Sequence, residues 1–167
     1  MLIEAKKLIS LPVASMEDGE KIGEITKIIV DKNSASILGF LVKSGGLLSP
    51  KLALSIVDIT EWDPNGIVTN SMDNLVPPDE IVRLNDVLKS NFDIFGTKAK
   101  TESGKNLGTV DNFLIDTETG TIAKYYLKDI INGERIFSAD KVIKIEKAII
   151  FSDDVAVVPP GAQNAIA

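Results

Sequence analysis

The run Asp18-Gly19-Glu20-Lys21-Ile22-Gly23-Glu24-Ile25 returns in kind as Ser103-Gly104-Lys105-Asn106-Leu107-Gly108-Thr109-Val110. Self-similarity at a fixed spacing is the sequence sign of a repeated architecture. From these runs the two registers continue without a gap, setting Asp31 over Asp116, Ile37 over Ile122, Phe40 over Tyr125 and Lys43 over Lys128. After a small length change both resume: Leu52-Ala53-Leu54-Ser55-Ile56-Val57-Asp58-Ile59 stands against Arg135-Ile136-Phe137-Ser138-Ala139-Asp140-Lys141-Val142. Each half is one structural unit used twice.

The unit reads as β. Ile22 to Val30, Ala35 to Lys43, Ile67 to Asn70, Leu107 to Ile115, Thr121 to Lys128, Val142 to Ile145 and Ala148 to Phe151 are rich in Ile, Val, Leu and aromatics, the composition of pleated, half-buried strands. Asp31-Lys32-Asn33-Ser34, Asp116-Thr117-Glu118-Thr119-Gly120 and Asp63-Pro64-Asn65-Gly66 punctuate them as turns in which Asp bonds nearby backbone and Gly accepts positive φ. Gly23 and Gly108 fall inside strand patterns, where glycine marks a bulge or sharp bend. Many short antiparallel strands with bends predict a small closed or nearly closed barrel in each half. Between the halves, Val76-Pro77-Pro78-Asp79-Glu80 breaks the pattern, and Ile81, Leu84, Val87 and Leu88 then recur at helical spacing. This predicts an amphipathic helix of about ten residues with acids at its start and Lys89 at its end.

The expected fold class is therefore all-β with a short helix. The boundaries are a first barrel over 1–76, a linker with the helix over 77–91, a second barrel over 92–154 and a flexible tail over 155–167. The tail carries Pro159-Pro160-Gly161 and, from Val155 onward, no charge.

Composition narrows the chemistry. The chain has 167 residues, 44% hydrophobic and 25% charged, with formal net charge -6 and neither histidine nor cysteine. Histidine-dependent nucleophile activation, imidazole and thiolate metal sites and disulfides are excluded. Arg83 and Arg135 are the only arginines, and an acidic chain is ill suited to a phosphate backbone, so direct nucleic-acid binding is not expected. The longest apolar runs fall far short of the roughly 20 residues that span a bilayer. The Met1-to-Lys7 segment reads as no signal peptide, and the expectation is a cytoplasmic protein.

The chemical motifs favour ordinary turns. Gly104-Lys105-Asn106-Leu107-Gly108-Thr109 lacks the lysine after its second glycine and the following helix that a Walker loop needs. Asp116, Glu118 and Gly120 fit a hairpin rather than a calcium loop. Asp153-Asp154 and Asp79-Glu80 come with no identifiable partner for acid–base work. No catalytic residue, cofactor or metal is expected.

Apolar residues left outside the barrels are the interaction candidates. If Lys124 and Lys128 face solvent, Tyr126 shares their side, and the repeat places Leu41 equivalently. The loops that follow carry Gly45, Gly46, Leu47 and Leu48 in one half and Ile130 and Ile131 in the other. These residues either pack the barrels against each other or against the helix, or offer a surface to another protein or a second copy of the chain.

The pattern resembles the PRC-barrel family. The resemblance is carried by Asp18 to Gly23, the Asp31 turn, Phe40-Leu41-Val42, Gly45 to Leu48 and Leu52 to Ile59 in the first half. In the second it is carried by Gly104 to Val110, Asp116, Ile122 to Leu127 and Ile136 to Val142. The linker Pro77-Pro78-Asp79-Glu80-Ile81-Val82 is similar to that of stand-alone bacterial proteins with tandem PRC barrels. The family includes a reaction-centre subunit and the C-terminal domain of the ribosome maturation factor RimM, but the shared positions are structural, and fold does not transfer function. The resemblance implies a non-enzymatic interaction or adaptor module. RNA processing or ribosome assembly is the alternative by analogy with RimM, where an acidic barrel suits a basic protein better than RNA.

Overall fold

A computed structural model describes residues 1–159. The chain opens with strand β1 (Leu2–Glu4) and a single turn of helix, α1 (Ala5–Leu8). The first unit follows as β2 (Pro12–Ser15), β3 (Glu20–Asp31), β4 (Ser36–Lys43), β5 (Lys51–Ser55), β6 (Ile59–Asp63) and β7 (Gly66–Thr69). Helix α2 (Val82–Lys89) leads to the second unit: β8 (Lys98–Thr101), β9 (Asn106–Asp116), β10 (Thr121–Asp129), β11 (Gly133–Ser138), β12 (Val142–Ile145) and β13 (Ala148–Phe151).

Pairing is the same in both units. The first runs β6-β7-β2-β3-β4-β5 and the second β12-β13-β8-β9-β10-β11, with β2·β7 and β8·β13 the parallel pairs. The expected closure does not occur. In each unit a 3-10 turn, Ile56–Asp58 or Ala139–Lys141, carries the chain from the fourth strand to the fifth, β5 to β6 or β11 to β12. No ladder joins those two strands among the described residues, and all thirteen strands form one open sheet. The bends expected at Gly23 and Gly108 are present: the β2·β3 and β8·β9 registers slip beside these glycines. A Cβ on Gly108 would sit 2.6 Å from the Lys128 carbonyl oxygen, so only glycine lets β10 pass this close.

The units meet at their hairpin tips. Ser36 of β4 pairs antiparallel with Thr121 of β10. The Ile37 N–H donates to the Gly120 carbonyl at 2.8 Å, and the Ile122 N–H to the Ala35 carbonyl at 3.1 Å. One sequence spacing relates Ala35 to Gly120, Ser36 to Thr121 and Ile37 to Ile122, so the contact is reciprocal, as across a two-fold axis. Asp31 shapes the first turn by accepting from the Asn33 N–H (2.9 Å) and the Ser34 hydroxyl (3.0 Å), and Asp116 accepts from the Glu118 N–H (2.9 Å). The turn chemistry read in the sequence is thus the chemistry present. One apolar core runs through both units, including Ile25, Phe40, Val42 and Leu54 from the first and Val110, Phe113, Tyr125 and Phe151 from the second.

The linker helix is shorter than expected. Pro78–Glu80 form a 3-10 turn of their own and Ile81 is extended, so the α-helix begins only at Val82. Its fully buried Leu84 packs on Ile29, Leu41 and Ala53, the outer face of the first unit. Arg83 pairs with Asp31 and ties the helix to the hairpin turn. Residues 155–167 were expected to form a loose tail. Within them, Val155 packs against the core, Val157 bridges to Phe137, and the Val158 N–H donates to the Ile136 carbonyl at 2.7 Å. The remainder, 160–167, lies outside the described residues.

Tyr125 takes the place of Phe40 in the second unit. Its ring is fully buried, edge-on to Phe151, and its hydroxyl has no hydrogen-bond partner among the described residues. Burial pushes that hydroxyl's pKa well up. Removing an unsatisfied buried hydroxyl recovers its desolvation cost. Tyr125→Phe is therefore expected to raise the unfolding free energy in urea by about 1 kcal/mol; a comparable loss would show that the hydroxyl is bonded.

Candidate interaction surface

Two hairpin tips end the sheet. β4 and β5 are paired down to Lys43 and Lys51, and residues 44–50 project beyond that pair. Gly45, at φ +99°, turns the chain, and the Ser49 N–H closes on the Gly46 carbonyl at 3.0 Å. The closure pushes the two residues between them outward: Leu47 is 89% exposed and Leu48 98%.

The second tip is built differently and ends the same way. β10 and β11 are paired to Asp129 and Gly133. The Asp129 carboxylate accepts from the Ile131 N–H at 2.8 Å, from the Asn132 N–H at 2.7 Å and from the Asn132 side-chain amide. On its other side it meets the Arg135 guanidinium at 2.9 Å, and Arg135 also reaches the Leu107 carbonyl at 3.2 Å. With the backbone so tied, Ile130 and Ile131 stand fully in solvent. An exposed aliphatic pair at each of two equivalent hairpins is not what solvation favours, since burying a Leu or Ile side chain is worth roughly 1.5–3 kcal/mol.

The tips lie at opposite ends. β4 and β10 run antiparallel from their contact at Ser36 and Thr121, so each strand carries its tip away from the other, with about 50 Å of strand between them. The alternative in which Leu47, Leu48, Ile130 and Ile131 pack the units together does not hold, because the units join at the other ends of these strands.

The remaining candidates divide. Leu41 is not a surface residue: it is 8% exposed beneath α2, in contact with the cluster around Leu84. Gly45 and Gly46 shape their turn. Tyr126 is half-buried on the outer face of the second unit, where burial first, and then the Glu4 and Glu134 charges, raise its hydroxyl pKa. Lys124 does not face solvent as expected. It is 4% exposed between its strand partners Leu114 and Ser138, and its long methylene stem suits such a position. An apolar patch missed in the sequence, Val57 and Val82, opens a groove of about 570 Å3 beside the junction, with Leu38, Ile56 and Ile81 in its walls. Val57 falls in a 3-10 turn, where no strand or helix period gives its direction away.

Asp129 gives the second tip a pH dependence. The Asn132 N–H, then the Asn132 amide, the Ile131 N–H and the Arg135 charge hold its carboxyl below the usual carboxylate range. A depressed folded-state pKa stabilises the tip above the unfolded value near 4, and the effect is lost as pH falls through the lower, folded value. Asp129→Asn should lower the exchange protection factors of the Ile131 and Asn132 amides at neutral pH, and acidification through the carboxyl's folded value, below about pH 4, should do the same to the unaltered chain. Unchanged exchange in the variant would remove Asp129 as the organiser of the tip.

No curated protein matches the chain. Residues 1–76, from the N-terminus through β7 to Val76 at the edge of β5, match the family model described as PRC-barrel domain.

Proposed function

We propose that the chain is a non-enzymatic, cytoplasmic protein-interaction module. It consists of two tandem PRC-barrel units, the second a structural copy of the first, and it engages its partner through the tips at Leu47-Leu48 and Ile130-Ile131. The observation that carries this reading is the presence of fully exposed aliphatic pairs at equivalent hairpins of both units. The tandem reading is supported by the common strand order and by the matching register slips in β2·β3 and β8·β9. The centres of both units are filled by side chains such as Phe40, Phe113, Tyr125 and Phe151, which favours binding at the surface over chemistry inside. No helix among the described residues is long and apolar enough to cross a membrane. Apolar side chains displayed in this way are what a protein partner's pocket, or a second copy of the chain, desolvates.

The test separates binding from folding. Leu47→Ser/Leu48→Ser and Ile130→Ser/Ile131→Ser each remove one tip. Exposed substitutions of this kind change stability by less than about 0.5 kcal/mol. Each variant is expected to keep the thermal midpoint of the unaltered chain while recovery of its partner by affinity purification from the native cell falls at least about tenfold, a loss of roughly 1.4 kcal/mol. Unchanged recovery with a lowered midpoint would assign the tips to folding. Salt-sensitive retention of RNA, indifferent to both variants, would replace the reading with RNA binding.

A further inference from the structure

The first unit departs from the common pattern at two places, and the two departures fit each other. One is the groove beside the junction, lined by Leu38, Ile56, Val57, Ile81 and Val82 together with Glu80. Val57 is 83% exposed and Val82 69%. The turn of the second unit that answers Ile56-Val57 holds Ala139-Asp140 instead, so the repeat does not require an apolar wall here. Arg83, also in the wall, is paired with Asp31. Glu80 and its neighbour Asp79 are exposed and have no ion pair among the described residues.

The other departure lies at the first hairpin tip. Lys43 and Lys51 are the last pair of β4 and β5 before Leu47 and Leu48. Like charges set directly opposite across a strand pair are destabilising. The second unit has Lys128 opposite Glu134 at the same place, so the strand pair itself does not ask for two lysines. Neither Lys43 nor Lys51 has an ion pair among the described residues. An aliphatic pair on a doubly positive base thus stands at one end of β4, and an aliphatic groove beside two unpaired carboxylates stands at the other.

The chain cannot join the two by itself. Ser36 at the start of β4 lines the groove and Lys43 ends the strand, about 25 Å away. Two copies lying antiparallel and offset by that length bring each tip to the other's groove. The contact is then made twice and closes as a two-fold dimer, the commonest symmetric assembly. A groove of about 570 Å3 lies within the roughly 300–1,000 Å3 of pockets that bury a ligand.

We propose that the groove at Val57 and Val82 receives Leu47 and Leu48 of a second copy of the chain, with Lys43 and Lys51 facing Glu80 and Asp79. This rests on the interaction role proposed for the first tip and gives that tip its partner. The tip at Ile130 and Ile131 takes no part.

Sedimentation of the purified full chain over a range of concentrations tests it. A dimer is expected, and Leu47→Ser/Leu48→Ser and Val57→Ser/Val82→Ser should each weaken it at least about tenfold. Leu48→Cys carrying a spin label should be monomeric too, since it no longer presents the aliphatic pair. Diluted to monomer, each double variant should unfold at the midpoint of the unaltered chain, because dimerisation then adds nothing to stability. Mixing the two double variants restores one intact contact, so a heterodimer should form from chains that do not self-associate. Lys51→Glu and Glu80→Lys should each weaken the dimer and together restore it. A monomer at every concentration would overturn the proposal, as would a dimer indifferent to either double variant or the lack of a heterodimer on mixing. If the unaltered chain is monomeric while Leu47→Ser/Leu48→Ser still loses a cellular partner, the proposal fails and the tip's interaction role stands.

Discussion

The architecture turns on one short contact between hairpin tips. Among the described residues, Ser36 and Thr121 are the one ladder pair between β2–β7 and β8–β13, flanked by the reciprocal bonds of Ile37 to Gly120 and Ile122 to Ala35. Two such bonds are worth about 1–3 kcal/mol in net stability, too little to hold two domains by themselves. They also fix direction. With an antiparallel pair at this point, β4 and β10 must leave in opposite directions, and Ile37 and Ile122 enter one core that continues from unit to unit. Ala35 and Gly120 both take left-handed backbone there, at φ 52° and 69°. Glycine does so freely and alanine at a cost of about 1 kcal/mol, so the surrounding packing holds Ala35 in place.

From that constraint the rest of the layout follows. Opposite strand directions put the tips at the two extremes of the sheet. The outer faces differ in that α2 lies over the first, with Leu84 on Ile29, Leu41 and Ala53. Where Gly39 leaves room beside Leu84 in the first unit, the second has Lys124, so the faces are related without being interchangeable.

Much of this was legible in the sequence, for reasons that residues make plain. The repeat, the strand spans, the Asp31 and Asp116 turns and the strained bend at Gly108 are local properties, set by backbone preference and by alternation along one strand. Lys124 was misplaced, and which of its alternatives Leu41 takes stayed open, because alternation says which side of a sheet a residue occupies and nothing about what lies over that side. The helix that buries Leu41 comes from a distant stretch of chain. Closure failed for a similar reason: an apolar segment follows Ser55 and Ser138, and only tertiary geometry decides whether the strands on either side of Ile56–Asp58 and Ala139–Lys141 pair. The exposure of Leu47, Leu48, Ile130 and Ile131 was an open alternative in the sequence, and it depended on where the units join.

The absence of cysteine allows the layout to be measured directly. Cysteines placed at Leu48 and Ile131 can be spin-labelled without background, and the distance between the labels read by pulsed electron resonance. A single narrow distribution beyond about 40 Å is the predicted result, since the strands between the tips span about 50 Å. A broad distribution, or a narrow one at much shorter distance, would contradict the account, because the Ser36–Thr121 contact would then not hold the two units as one body with their tips apart.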